Sequence, residues 1–176
     1  MNKLLENDTL HLRAPEPEDL ELLYKWENDT DIWQYSTAIS PYSKFLLKQY
    51  IADAHTDIFQ SKQLRFMIVL KKTNEVVGTI DLFDFDAINL KCGVGIYIDP
   101  GHRQQRLGAQ ALSVLQDYAF NFLKINQLYA IVPQNNKASL QLFQSSGFSQ
   151  SGRLKQWVST PDTYEDAIIW QKLKPN

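Results

Sequence analysis

Apolar positions along the chain switch between a period of two and a period of three to four, and the switches mark the elements. Leu10-His11-Leu12-Arg13 alternates and runs into Ala14-Pro15-Glu16-Pro17, which predicts a short strand stopped by prolines. Pro17 suits the first position of a helix carrying Leu20, Leu23 and Tyr24, with acidic residues at its positive end. Residues 27–35 are polar, punctuated by Trp33 and Tyr35, and read as a loop. Ser40-Pro41 offers a cap for a second helix through Phe45, Leu46, Tyr50 and Ile58 to about Phe59. Three β-rich runs follow, Leu64 to Leu70, Val76 to Phe85 and Leu90 to Ile98, separated by polar turns, which predicts an antiparallel meander. Ala111, Leu112, Val114, Leu115, Tyr118, Ala119 and Phe122 then return to helical spacing. Leu128 to Val132 is a strand ended by Pro133, and Asn135-Asn136 caps a helix from Lys137 to Ser146 closed by Gly147. A hairpin of Phe148 to Trp157 and Tyr164 to Leu173 completes the chain.

The junction between Ile98 and Gly108 brings in chemistry. A helix start presents backbone N–H groups without internal partners at the positive end of its dipole, which is an anion site in outline, and Arg103 and Arg106 add full charges. A Walker loop would close on Gly-Lys-Ser/Thr, and a dinucleotide turn would place three glycines after a first strand. Gly93-Val94-Gly95 lies inside a strand and meets neither pattern. Glycines there mark a bulge, a close ligand approach or relief of crowding.

Length and charge narrow the class. A chain of 176 residues fits one α/β domain over 1–176, and a net charge of −2 argues against nucleic-acid or anionic-membrane partners. The lone Cys92 reads as a buried, inert thiol, and three scattered histidines give no metal-ligand spacing. The N-terminus has no apolar signal core, so a cytoplasmic location is expected.

Arg103-Gln104-Gln105-Arg106-Leu107-Gly108 resembles the acyl-CoA loop of the GNAT acetyltransferase superfamily, with Arg106 in place of the middle glycine. Asn136-Lys137-Ala138-Ser139, with its short helix closing on Gly147-Phe148, is similar to that family's second motif. Leu12-Arg13, Glu18-Asp19-Leu20, Trp26-Glu27-Asn28-Asp29 and Tyr164-Glu165-Asp166-Ala167 resemble the branch holding ribosomal-protein N-terminal acetyltransferases and spermidine acetyltransferases. The resemblance implies an α+β fold. Its sheet is mixed, mostly antiparallel and twisted, of about seven strands with about four helices, and its central strand is bulged at the acyl-CoA site.

It also implies acetyl-CoA as co-substrate. Ile96, Tyr97 and Ile98 would meet the pantetheine arm. Arg103, Gln104, Gln105, Arg106, Leu107, Gly108 and Ala109 would meet the phosphates, and Asn136 and Ser139 would face the cofactor. In such enzymes the neutral amine attacks the thioester directly, its carbonyl polarised by a backbone N–H of the bulged strand, here near Ile98. Asp81 is the candidate base. Phe143 stands where many relatives carry a tyrosine acid, leaving Tyr97 or water as substitutes. Glu27, Trp33, Tyr35, Asp81 and Phe83 are candidate substrate contacts, although Trp33 and Tyr35 read more readily as loop anchors, and Asp84 and Asp86 read as solvated. The acceptor implied is a polyamine such as spermidine or a protein N-terminus, with an aminoglycoside or other antibiotic amine as a third class, and the branch commonly forms homodimers. Arg106 and Phe143 motivate one alternative, a catalytically degenerate acyl-CoA-binding regulatory or scaffold module.

Overall fold

In the computed structural model, which describes residues 4–33 and 40–175, the alternating start of the chain becomes β1 (Leu10–Arg13), with Leu10 and Leu12 buried. Arg13 forks onto the buried Asp19 at 2.6 and 2.9 Å, and Asp19 also accepts the Glu16 N–H at 2.8 Å. That pairing fixes the proline turn and the entry of α1 (Leu20–Glu27).

Four antiparallel neighbours, β1, β2 (Leu64–Leu70), β3 (Val76–Asp86) and β4 (Lys91–Ile98), form one half of a seven-stranded sheet. β5 (Gln127–Pro133) joins β4 in parallel, and the hairpin of β6 (Ser149–Ser159) and β7 (Tyr164–Leu173) attaches through β7, giving the order β1-β2-β3-β4-β5-β7-β6. A parallel neighbour needs a crossover, supplied by the long helix after β4. This helix, α5 (Leu107–Asp117), buries Leu107, Ala111, Leu112 and Leu115 on the face that carries Ile68, Ile80, Leu82 and Val94. The other face carries Met67 and Val69 under Leu23 and Trp26 of α1 and under Leu47 and Ile51 of α3 (Lys44–Ala52). Strand alternation therefore sorts β2 between two cores.

Three expectations are corrected. The second helix starts at Ser43, whose hydroxyl accepts the Leu46 N–H, rather than at Ser40, and it does not run to Phe59. After a 3-10 turn at Asp53–His55, Asp57 accepts the N–H groups of Phe59 and Gln60 and so starts a separate turn, α4 (Ile58–Ser61). The stretch read as a loop contains a helical turn, α2 (Thr30–Trp33), while Tyr35 lies outside the described residues. With α6 (Lys137–Ser145) the described residues hold six α-helices, four of them eight residues or longer.

The third correction concerns the bulge. β4 keeps one register with β3 from Gly93 to Ile98, and the shift falls between Phe83 and Asp86 of β3, where Asp84 takes φ +50°. Gly93 instead makes room for a ring: a Cβ there would lie 2.4 Å from Phe83 Cε2. The shift interrupts the strand alternation between Asp81 and Asp86. Asp84 is exposed, and hydrogen bonds from Asn89 and Ile88 make Asp86 a turn residue with its carboxyl held down to about 2. Cys92 is fully buried, its thiol pushed up to about 12 by burial, which agrees with an inert role. No helix among the described residues is long and apolar enough to cross a membrane.

Candidate active site

Pairing between β4 and β5 stops at Gly93–Tyr129, while β5 stays paired with β7 as far as Pro133. Three hydrogen bonds fix which backbone groups of β4 face the opening this leaves. Asp99 donates to Val77 O on the β3 side at 2.9 Å, and Leu90 O accepts from Asn126 and Gln127 on the β5 side at 2.7 and 3.2 Å. Since ladder bonds alternate along a strand, Val94, Ile96 and Ile98 turn their N–H and C=O groups into the opening, whereas Gly95 and Tyr97 turn theirs to β3. One of these groups is engaged already, because Arg103 Nε donates to Ile98 O at 3.1 Å. The remainder form a strand edge offered to an extended ligand.

The opening leads to the start of α5. Arg106 is the N-cap residue with φ +57° and no side-chain cap, so the N–H groups of Leu107, Gly108 and Ala109 are available to an anion. Gln104 also has positive φ, at +63°, and Arg103, Gln104, Gln105 and Arg106 are all exposed. The conformation at 106 is the one glycine adopts freely, and a side chain there costs about 1 kcal/mol or somewhat more. Arg106→Gly is therefore expected to leave stability unchanged or raise it by up to about 1 kcal/mol, offset in part by unfolded-chain entropy. Thermal unfolding reads this directly, and a clear loss would mean that the arginine side chain contributes more than its backbone costs.

α6 closes the same end of the opening. A Cβ at Gly108 would sit 3.5 Å from a Leu142 methyl, so the two helices meet closely there. Asn136 Oδ1 caps α6 by accepting the Ser139 N–H at 3.1 Å. Asn136, Ser139 and Phe143 fall on one helix face by spacing, but Phe143 is buried edge-on against Phe148 at 5.0 Å.

On the opposite face of the sheet, Arg65 holds Asp81 with a two-pronged contact, Nε to Oδ1 at 2.7 Å and Nη2 to Oδ2 at 3.1 Å, and its Nη1 pairs with Glu27. The guanidinium also lies over the Tyr50 ring, 5.4 Å from its centre. Burial alone would lower the Arg65 pKa, but the charge and hydrogen bonds of Asp81, with Tyr50 and Glu27, outweigh it and hold the group well above its ordinary value. Phe83 follows Asp81 on this face and meets Tyr129 of β5 edge-on at 6.3 Å. Tyr97 packs on Trp26 at 5.3 Å, and burial with the nearby Asp99 charge pushes its hydroxyl up to about 12. Ile96 and Ile98 point to the α5 core instead. Trp33 anchors its turn by donating to Glu27 O at 2.8 Å.

Glu27, Asp81 and Phe83 thus share one face of the sheet, Ile96 and Ile98 lie along the opening that leads to the loop 103–109, and α6 meets α5 at Leu142. Arg65, which the sequence reading passed over, and Trp26, which it quoted only within a motif, both matter here. Arg65 is a charge inside the apolar run Leu64–Leu70, a signal that a partner must face it. Trp26 ties α1 to the loop by donating to Asp99 Oδ2 at 2.8 Å.

Known proteins share this fold. Residues 9–149 match the model of the acetyltransferase (GNAT) domain. The spermidine N(1)-acetyltransferase of Escherichia coli strain K12 is 26% identical over 160 residues, covering 91% of this chain and 83% of its own. The fold superposes on a spermidine N-acetyltransferase from Vibrio cholerae in complex with CoA and spermine, with a TM-score of 0.84 at 24% identity over 96% of this chain and 97% of that one. A dodecameric structure of spermidine N-acetyltransferase from the same organism gives 0.80 at 24% identity, covering 96% and 95% of the two chains.

Proposed function

The chain belongs to the GNAT acetyltransferases, and on that premise we propose that it moves the acetyl group of acetyl-CoA onto a primary amine by direct attack in a ternary complex. Acetyl-CoA is the co-substrate. The observation that carries the reading is the parting of β4 from β5 beyond Gly93, with an unpaired strand edge leading to the uncapped start of α5. An extended thioester arm fits the edge at Val94, Ile96 and Ile98, and a pyrophosphate fits the N–H groups of Leu107 to Ala109 beside Arg103 and Arg106. Asn136 and Ser139 line the same end. A single domain over the whole chain is part of the proposal.

In this reading the neutral amine nitrogen bonds to the thioester carbonyl carbon. The carbonyl oxygen takes up the electron pair against a backbone N–H of β4, at Val94, Ile96 or Ile98, whose N–H groups face the opening, rather than at Tyr97, whose N–H faces β3. The amine proton passes to Asp81, directly or through water, and the C–S bond then breaks to release the thiolate. Tyr97 is a poor acid for that step, since a hydroxyl pushed up to about 12 donates uphill to a thiolate whose acid has a pKa of about 8.5. Solvent protonates the leaving group. Phe143→Tyr would put its hydroxyl at the buried contact with Phe148 rather than in the opening, so it is expected to supply no general acid and to leave kcat within about twofold of the parent. Initial rates at saturating amine measure this, and a rise of about tenfold would show that the added hydroxyl reaches the leaving thiolate.

Isotopically labelled acetyl-CoA offered with a panel of polyamines, amino sugars, amino acids and peptides tests the whole reading by mass spectrometry. A labelled amide is the expected product. Bound acetyl-CoA without any product would favour the non-catalytic module, and light scattering on the same sample separates monomer, dimer and larger assemblies.

A further inference from the structure

Gly95 lies on the sheet face that carries Asp81 and Phe83, at the level where β4 leaves β5. It has no side chain, and the nearest atoms to a Cβ built there are Phe83 Cε1 at 3.6 Å, Asp81 Oδ2 at 3.7 Å and Asp81 Cβ at 3.9 Å. The result is a notch one methyl group or more across, with a carboxylate on one wall and a ring edge on the other. Val94 and Ile96, on either side of it, point their backbone groups into the opening. Phe83 is held in place because Gly93 lets its ring lie flat on the strand and Tyr129 abuts it.

Charge around the notch is limited. Glu27 and Asp81 share the single guanidinium of Arg65, so the three groups carry one net negative charge, enough for one ammonium. The wall leading away from Asp81 is the Phe83–Tyr129 pair, which favours an apolar or flat substituent.

Resting on the amine N-acetyltransferase reading above, we propose that the acceptor nitrogen docks in the notch over Gly95 between Asp81 and Phe83. The preferred acceptor is a monoamine with an apolar or aromatic body along Phe83 and Tyr129, rather than a polycation. Gly95 and Phe83 then determine specificity, the first by leaving space and the second by walling it.

The test uses the full chain with acetyl-CoA, comparing 2-phenylethylamine, n-butylamine and spermidine by initial rate. The expected result is a kcat/KM for 2-phenylethylamine at least about tenfold above that for spermidine, with Phe83→Leu narrowing the gap. Gly95→Ala is expected to lower kcat/KM for the amine about tenfold or more while unfolding temperature and acetyl-CoA affinity hold, because the added methyl meets its neighbours at ordinary contact distance. Preference for spermidine in the unaltered protein, or a folded Gly95→Ala variant with unchanged kcat/KM, overturns the inference and leaves the enzyme reading standing. Failure to acetylate any amine overturns both.

Discussion

Asp81→Asn is expected to lower kcat/KM for amine acetylation by about 10²-fold or more, the range of a lost general base, while acetyl-CoA binding stays within about twofold of the parent. The reasoning is positional. Asp81 pairs in register with Gly95, and its Oδ2 borders the notch where the amine would sit, one residue from backbone groups that face the opening. Both oxygens accept from Arg65, which fixes the carboxylate's direction and leaves lone pairs turned to the notch. Asparagine keeps the shape and one acceptor but cannot take a proton. Arg65 retains Glu27 in the variant, so no buried guanidinium is left unpaired and the fold is expected to survive. The decisive readout is the pH profile. Without a base the rate should climb with the fraction of free amine, so that activity recovers toward alkaline pH. A variant with parent-like rates at neutral pH would move the base elsewhere, and a variant that loses acetyl-CoA affinity would make Asp81 a structural residue.

Much of the fold was legible because its signals are local. Proline stops, the Asn136 cap, the Gly147 close with φ +83° and the apolar face of α5 each act within a few residues. What escaped depends on register. Arg65 meets Asp81 across sixteen residues of chain, and only the pairing of β2 with β3 brings them opposite. Ile96, Tyr97 and Ile98 are adjacent in sequence and so were grouped, yet alternation sends Tyr97 to the α1 face and its backbone to β3. The glycine pair was noticed without its cause, because the ring that Gly93 accommodates sits on another strand. The second helix was read too long since its apolar positions continue past Ala52, and an Asp57 cap resets the backbone without breaking that period. Asp81 is singled out by the resemblance, whereas the notch beside it is an absence of side chain and has no local signal.

Gly78→Ala is expected to destabilise the domain by about 3 kcal/mol or more, at the upper end of overpacking effects. A Cβ at this position would lie 2.1 Å from Tyr97 O, about 0.9 Å inside the 3.0 Å that Cβ contacts essentially never cross, and 3.1 Å from Ile98 Cα. Both obstacles are backbone in the middle of a sheet, so no side chain can rotate away. Relief requires β3 and β4 to move apart where β3 already shifts register against β2, between Ile68 and Val69. Stability of a domain this size is typically about 5–15 kcal/mol, and about 3 kcal/mol corresponds to a fall of roughly 6–12 °C in unfolding temperature. Gly108→Ala is the control, since its added methyl would stand 3.5 Å from Leu142 in the first turn of a helix, where alanine is intrinsically favoured. Function should follow the strand as well as the fold. Ile98, the register partner of Gly78, ends the edge that leads into the loop at 103–109, and Arg103 is bonded to its carbonyl. Any Gly78→Ala protein that remains folded at low temperature is therefore expected to bind acetyl-CoA at least about tenfold more weakly. Parent-like urea unfolding with parent-like affinity would show that the close approach of the two strands is not what positions the loop.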